Sequence, residues 1–229
     1  MWSSLVRSIA RLAAIASLAP ALLTGCDGSP YLPPAELQPR NVDIARVTVP
    51  DPVLREELEL LELTDTSELR ELDVAFETLR AKYPEREPRE VLIRSIEGLE
   101  QFQKLRSLDI SGHLLRDGEL RFIEGLVYLE TLRLDNNRFS DLSRLPRFER
   151  LSLLSARGNL RPTNFGILPE LPNLRYVDLS YNEGLVDDPM RFAESRELRQ
   201  LLLIDCNSMD GRRIRLLREQ NLDLEIAWP

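Results

Sequence analysis

The sequence predicts an α/β repeat solenoid, with one short strand in each turn of the chain and 3₁₀ or irregular segments on the return path. Three observations predict it. Five segments fit the spacing Leu-x-x-Leu-x-Leu-x-x-Asn: Leu105-Leu108-Ile110-His113, Leu129-Leu132-Leu134-Asn137, Leu151-Leu154-Ala156-Asn159, Leu174-Val177-Leu179-Asn182 and Leu198-Leu201-Leu203-Cys206. Their last positions recur at intervals of 24, 22, 23 and 24 residues, the self-similarity of a stacked architecture. Between two of them, Phe139, Leu142, Leu145, Phe148 and Leu151 return every third residue. That period suits a 3₁₀ path, where side chains at i and i+3 eclipse.

The first element is an address. Arg7 and Arg11 give residues 1–25 a positive start, Leu12 to Leu23 is apolar apart from Ser17, and no acid precedes Asp27. So short an apolar run reads as a secretory signal and not as a membrane span. It ends Leu23-Thr24-Gly25-Cys26, which resembles the bacterial lipobox. The resemblance implies diacylglycerol on the Cys26 thiol, cleavage before Cys26 and acylation of the new N-terminus. The product is then an exported protein held by lipid at the periplasmic face of the inner membrane, or at the outer membrane or cell surface. Two or three acyl chains, at about 0.8 kcal/mol per buried CH₂, anchor firmly. Removing residues 1–25 takes away two arginines and no acid, moving the formal charge from −8 to −10. Such a charge offers anionic headgroups no overall attraction, so the lipid itself must anchor.

Residues 26–48 form a Pro-rich linker that favours extended, semi-rigid conformations. From Val42 onward, Val42, Ile44, Val47 and Val49 leave open whether its end packs on the domain. Residues 49–104 hold a cap and irregular first repeats, residues 105–206 the regular repeats, and residues 207–229 a C-terminal cap.

The repeat over about residues 50–229 resembles the leucine-rich repeat family, and its three-residue period resembles the short, internalin-like bacterial class. The resemblance implies parallel strands on a concave face, a 3₁₀ or irregular convex side and a helical N-terminal cap. Pro146, Pro169 and Pro172 also disfavour long convex helices. In each strand alternate residues point inward, so Leu132 and Leu134 share the core face and Arg133 faces out. One repeat cannot bury its leucines alone; stacked neighbours do so. The Asn position turns the chain, its amide bonding backbone groups that are otherwise unpaired.

Open ends of a repeat stack must be covered. Val49-Pro50-Asp51-Pro52-Val53-Leu54 and the acidic amphipathic stretch to Leu63 fit the helical cap, with Asp51 near the helix start. Leu69, Leu72 and Val74 fit its strand, and Ile93, Ile96, Leu99, Phe102 and Leu105 resume the three-residue period. Between them residues 80–90, charged and carrying Pro84 and Pro88, read as an inserted loop. At the far end residues 211–220 fit a helix, Leu222, Leu224 and Ile226 alternate as a last strand, and Trp228 covers the exposed core.

Composition narrows function. A net charge of −8 argues against nucleic-acid binding. One His and two Cys leave almost no material for a zinc site or a Cys-His pair, so no cofactor or metal is expected. His113 and Cys206 stand where the repeat needs a hydrogen-bonding side chain, and their expected roles are structural. With Cys26 lipidated, Cys206 is a free thiol. Asp109 with Ser111, Asp178 with Ser180, and the acids Asp117, Asp187 and Asp188 read as solvated surface, because no spaced calcium loop accompanies them.

The outward positions carry the functional expectation. One column reads Asp73, Asp109, Arg133, Ser155, Asp178 and Leu202, with Leu153, Tyr176, Arg157, Tyr181 and Ile204 beside it. Arg133, Leu153, Arg157, Tyr176 and Tyr181 are types enriched in interface cores and binding hot spots. The expectation is a monomeric, non-catalytic protein that binds a protein or peptide partner through this face. The alternatives are an envelope scaffold or adhesin binding peptidoglycan or glycan, and an envelope hydrolase centred on His113.

Overall fold

A computed structural model describes residues 42–159 and 166–228. Cys26, the signal segment and the linker up to residue 41 lie outside them. Seven three-residue strands, β1 (Glu71–Asp73), β2 (Ser107–Asp109), β3 (Thr131–Arg133), β4 (Leu153–Ser155), β5 (Tyr176–Asp178), β6 (Gln200–Leu202) and β7 (Glu225–Ala227), pair in chain order, all parallel. The register sets Leu72, Leu108, Leu132, Leu154, Val177, Leu201 and Ile226 side by side. All seven are buried. The strands are short because the core face needs only one inward residue per rung before the chain must turn and return.

The return path is 3₁₀, at Leu99–Gln101, Asp117–Ile123, Leu142–Arg144, Leu168–Glu170 and Pro189–Glu194. The three-residue period does what it predicts: Ile93, Ile96, Leu99, Phe102 and Leu105 have no exposed surface, and Phe139 through Leu151 bury the same way. Strand and return columns close one continuous core from Val49 to Ile226.

The N-terminal end is closed by helix α1 (Pro52–Glu59). Asp51 caps it: Oδ1 accepts from the Val53 and Leu54 amides at 3.0 and 3.1 Å, and Pro52 brings a preset φ to the first turn. The second oxygen accepts from the Arg94 and Ser95 amides at 2.7 and 3.3 Å, tying the cap to the first return path. The helix is shorter than the amphipathic stretch: it stops at Glu59, and the chain turns through Glu62 at φ 50°. Upstream, Val42 and Thr66 exchange bonds, Thr66 Oγ accepting from the Val42 amide and Val42 O accepting from the Thr66 amide, so the chain packs on the domain from residue 42.

Residues 80–90 are not an irregular loop. Helix α2 (Phe76–Lys82) runs into them, and Pro88–Glu90 is a 3₁₀ turn. Three of their polar side chains, Lys82, Tyr83 and Arg86, are tied to α1. Lys82 Nζ and the Tyr83 hydroxyl both donate to Glu57, at 2.6 and 2.8 Å. Arg86 grips Glu56 with two parallel bonds at 2.7 and 2.8 Å, while its guanidinium lies 4.0 Å from the Tyr83 ring centre.

At the far end helix α3 (Gly211–Gln220) buries Ile214 and Leu217, capped by Asp210 accepting from the Arg212 amide at 2.8 Å. Trp228 packs on the core edge and against Gly211, where an added Cβ would stand 2.3 Å from the ring. The last strand is shorter than the alternation suggests. Leu222 is 89% exposed, because Asn221–Leu224 forms a turn, and pairing begins only where the Glu225 amide meets Arg199 O at 2.8 Å.

Candidate functional site: the strand face

The face is built by the turn that ends each strand. Asn137 Oδ1 accepts from the His113 and Leu115 amides at 3.1 and 3.0 Å, while its Nδ2 donates to Ile110 O and Leu134 O. Asn159 and Asn182 repeat the pattern one rung on, so each amide closes its own turn and its neighbour's. His113 copies an amide: Nδ1 accepts from the Ile93 amide at 3.1 Å and Nε2 donates to Val74 O at 2.5 Å. Both ring nitrogens are committed, and burial holds the imidazole below its usual range, in the neutral form those bonds need. Cys206, the free thiol, donates to Leu179 O at 3.1 Å; burial pushes it up to about 11.

One residue before each of these positions the backbone enters the left-handed region: Gly112, Asn136, Gly158, Tyr181 and Asp205. Glycine, Asn and Asp tolerate it; a bulky ring there costs about 1–3 kcal/mol. Tyr181 nevertheless sits at φ 63° with 47% of its surface exposed.

On the strand face the register aligns Asp73, Asp109, Arg133, Ser155, Asp178 and Leu202 in one row, as the spacing predicts. A second row runs Glu71, Ser107, Thr131, Leu153, Tyr176, Gln200 and Glu225. Leu153 and Tyr176 are therefore direct neighbours, each only 8% exposed. Burial raises the Tyr176 phenol, and the nearby Asp178 charge adds to it. Arg157 is not a free cation: its Nε lies 3.6 Å from Asp178 and its guanidinium 5.2 Å from the Tyr181 ring centre. Arg133, half-buried, makes no ion pair among the described residues. The five expected residues thus fall into two groups, Arg133-Leu153-Tyr176 across β3 to β5, and Arg157-Tyr181 beyond the strand ends.

The carboxylates on this face differ from the expected solvated surface. Asp178 and Ser180 are buried, because Asp178 Oδ1 accepts from the Ser180 amide at 2.9 Å within the bend, and Ser180 Oγ accepts from the Ile204 amide on the next rung. Asp109 makes the same bend with the Ser111 amide at 3.0 Å. Asp135, which the column reading passed over, accepts from Ser155 Oγ at 2.6 Å and from the Arg157 amide at 2.8 Å. Burial raises both Asp109 and Asp135 above the usual carboxylate range. The Asp-x-Ser spacing of 109–111 and 178–180 was the available signal; each acid braces the backbone two residues on. The remaining acids are also employed structurally: Asp117 accepts from Ser140, Asp188 caps the turn at Pro189 and pairs with Arg213, and Asp187 pairs with Arg191. Among the described residues no group of three or more His, Cys, Asp or Glu is placed to hold a metal.

Beside Tyr181 lies an open groove of about 750 Å³, lined among the described residues by Gly158, Asn159, Tyr181, Glu183, Gly184, Asn207 and Ser208. Apart from the Tyr181 ring, glycines and polar side chains line it.

No protein-family model matches the chain, and no curated protein does. Solved structures do. An internalin of Listeria monocytogenes, InlF, superposes with a TM-score of 0.55 at 19% identity, over 82% of this chain and 58% of that one. The fold is a leucine-rich repeat solenoid. A leucine-rich repeat protein of Leptospira interrogans superposes with a TM-score of 0.49 at 17% identity, over 59% of this chain and 34% of that one. The present chain therefore spans less than two thirds of either.

Proposed function

We propose that this repeat solenoid is a non-catalytic binding module, holding a protein or peptide partner on its strand face and tethered to a bacterial envelope membrane by lipid on Cys26. One observation carries the binding reading. Tyr181 keeps a bulky, exposed ring in a backbone conformation that its column otherwise fills with Gly, Asn and Asp, with Arg157 against it. An exposed cation–π contact of about 0.5–1 kcal/mol does no more than offset a strain of about 1–3 kcal/mol, and strain of this kind concentrates at functional sites. Arg133 stands beside Asp109 without closing an ion pair among the described residues, and supplies the donor fork for a carboxylate on the partner. Strands about 4.8 Å apart put Arg133, Leu153 and Tyr176 within about 10 Å, the size of a hot spot.

A partner captured by crosslinking in intact cells identifies the ligand. Arg133→Ala and Tyr181→Asn should then each weaken binding by about 1 kcal/mol or more, while the thermal midpoint holds or rises. Binding that survives both variants sinks the strand-face reading. Affinity should also fall as salt rises, since the contact with Arg133 is ionic.

The polar groove beside Tyr181 favours a second reading, a scaffold or adhesin that takes a glycan. Sedimentation of the protein with purified cell wall, lost in Tyr181→Asn, separates it from a protein partner.

The anchor rests on Leu23-Thr24-Gly25-Cys26. Cells fed a labelled fatty acid should label the protein, and Cys26→Ala should abolish the label. Label retained in that variant refutes lipidation at this cysteine.

A further inference from the structure

A different edge of the molecule gathers positive charge. The position just before β1 to β6 reads Arg70, Arg106, Glu130, Ser152, Arg175 and Arg199, and two residues further upstream lie Glu68, Lys104, Tyr128, Arg150, Asn173 and Glu197. Arg70, Lys104, Arg106 and Tyr128 line one pocket of about 200 Å³. The backbone fixes their spacing. Arg70 O accepts from the Arg106 and Ser107 amides at 2.7 and 3.1 Å, and Arg106 O accepts from the Glu130 and Thr131 amides at 2.7 and 2.9 Å. Two guanidinium stems thus stand on adjacent rungs before any ligand arrives. Arg150 covers the Tyr128 ring at 4.4 Å and steadies the third wall.

The charges facing this pocket leave it rich in donors. Arg70 donates to the Ser67 carbonyl with one nitrogen and keeps the rest. Lys104 makes no hydrogen bond among the described residues. Arg106 faces Glu130 at 3.7 Å, too far to use its N–H groups. Asp65 also faces Arg70 and Lys104, but its Oδ1 is taken by the Ser67 amide at 2.6 Å. Arg and Lys carry donors only, so the matching ligand is one that only accepts. A phosphate monoester brings three acceptor oxygens and a charge of about −1.5 to −2 at neutral pH. Two arginine forks and a lysine point charge suit it better than they suit a single carboxylate. The volume lies below the roughly 300–1,000 Å³ of clefts that enclose whole ligands, so it admits a charged head and leaves the remainder outside.

We propose that Arg70, Lys104, Arg106 and Tyr128 form a binding site for a phosphate monoester group. The site is separate from the strand-face reading and does not depend on it. The phosphate belongs to a lipid headgroup or to a soluble phosphorylated molecule.

The test uses the purified full-length protein in an uncharged detergent, titrated with glycerol phosphate by calorimetry. A double variant, Arg70→Gln with Lys104→Gln, is set against Arg212→Gln with Arg215→Gln, an equal charge change on exposed positions of α3. Saturable binding is expected, weakened about tenfold or more in the pocket variant and unchanged in the α3 variant. Equal weakening in both, or no saturable binding by the unaltered protein, overturns the site. Vesicles of phosphatidylcholine with and without phosphatidic acid then assign the source. Pocket-dependent sedimentation with the acidic vesicles alone supports the site with a lipid headgroup as ligand. Glycerol phosphate binding without vesicle binding supports it with a soluble ligand. Vesicle binding without glycerol phosphate binding reflects surface charge and overturns it.

Discussion

Leu132 and Arg133 are neighbours in β3 and live under opposite rules. Leu132 belongs to a row of seven inward residues in which only Leu, Val and Ile occur, all buried. Arg133 belongs to an outward row that mixes Asp, Arg, Ser, Leu and Ala. The strand-end column lies between these extremes: it admits Asn, His or Cys, but each must reach a buried backbone group. The inner row is constrained by packing and the strand-end column by hydrogen-bond chemistry; the outer row is constrained where Asp109, Ser155 and Asp178 hold a bend or a neighbouring side chain.

The sharpest way to break this comparison is Leu132→Asp. It buries an unpaired charge in a core with no polar partner, and the protein should fail to fold, read as loss of a cooperative unfolding transition. Next comes Asn159→Ala. It strands the Phe139 amide and takes one of two side-chain donors from the Leu134 and Ala156 carbonyls, which Asn137 and Asn182 still reach, and should cost about 2–3 kcal/mol in denaturant unfolding. Cys206→Ala in the same column should cost less, about 1 kcal/mol, because a thiol is only a weak donor. If the two cost the same, the column is held by packing and not by its hydrogen bonds. The smallest effect belongs to Arg133→Asp, which should move stability by no more than about 0.5 kcal/mol. A large loss there would mean that the outward row is coupled to the core.

The fold was legible because a repeat states its rule several times. A single Leu-x-x-Leu-x-Leu is ambiguous between helix and strand, but five copies at a near-constant interval fix both the register and the inward face. The same redundancy made His113 and Cys206 readable as turn residues, since their column named the chemistry required. Residues 80–90 had no such repetition. Lys82, Tyr83 and Arg86 read as part of an inserted loop because their partners, Glu57 and Glu56, lie 25 to 30 residues earlier on α1. Asp178 and Ser180 were misread for a related reason: the local bend was visible in Asp-x-Ser, but its burial comes from the rungs on either side.

The candidate site was half legible. Spacing alone placed Arg133, Leu153, Arg157, Tyr176 and Tyr181 near one another on the outward side. It did not show that Asp178 engages Arg157, that Leu153 and Tyr176 are mostly covered, or that Tyr181 occupies a left-handed turn. Sequence determined the period, the inward rows and the capping ends, because these follow from the spacing of apolar residues along the chain. Tertiary structure decided which charges remain free, because an ion pair depends on distance between rungs, and residues on neighbouring rungs are separated by more than twenty positions in sequence.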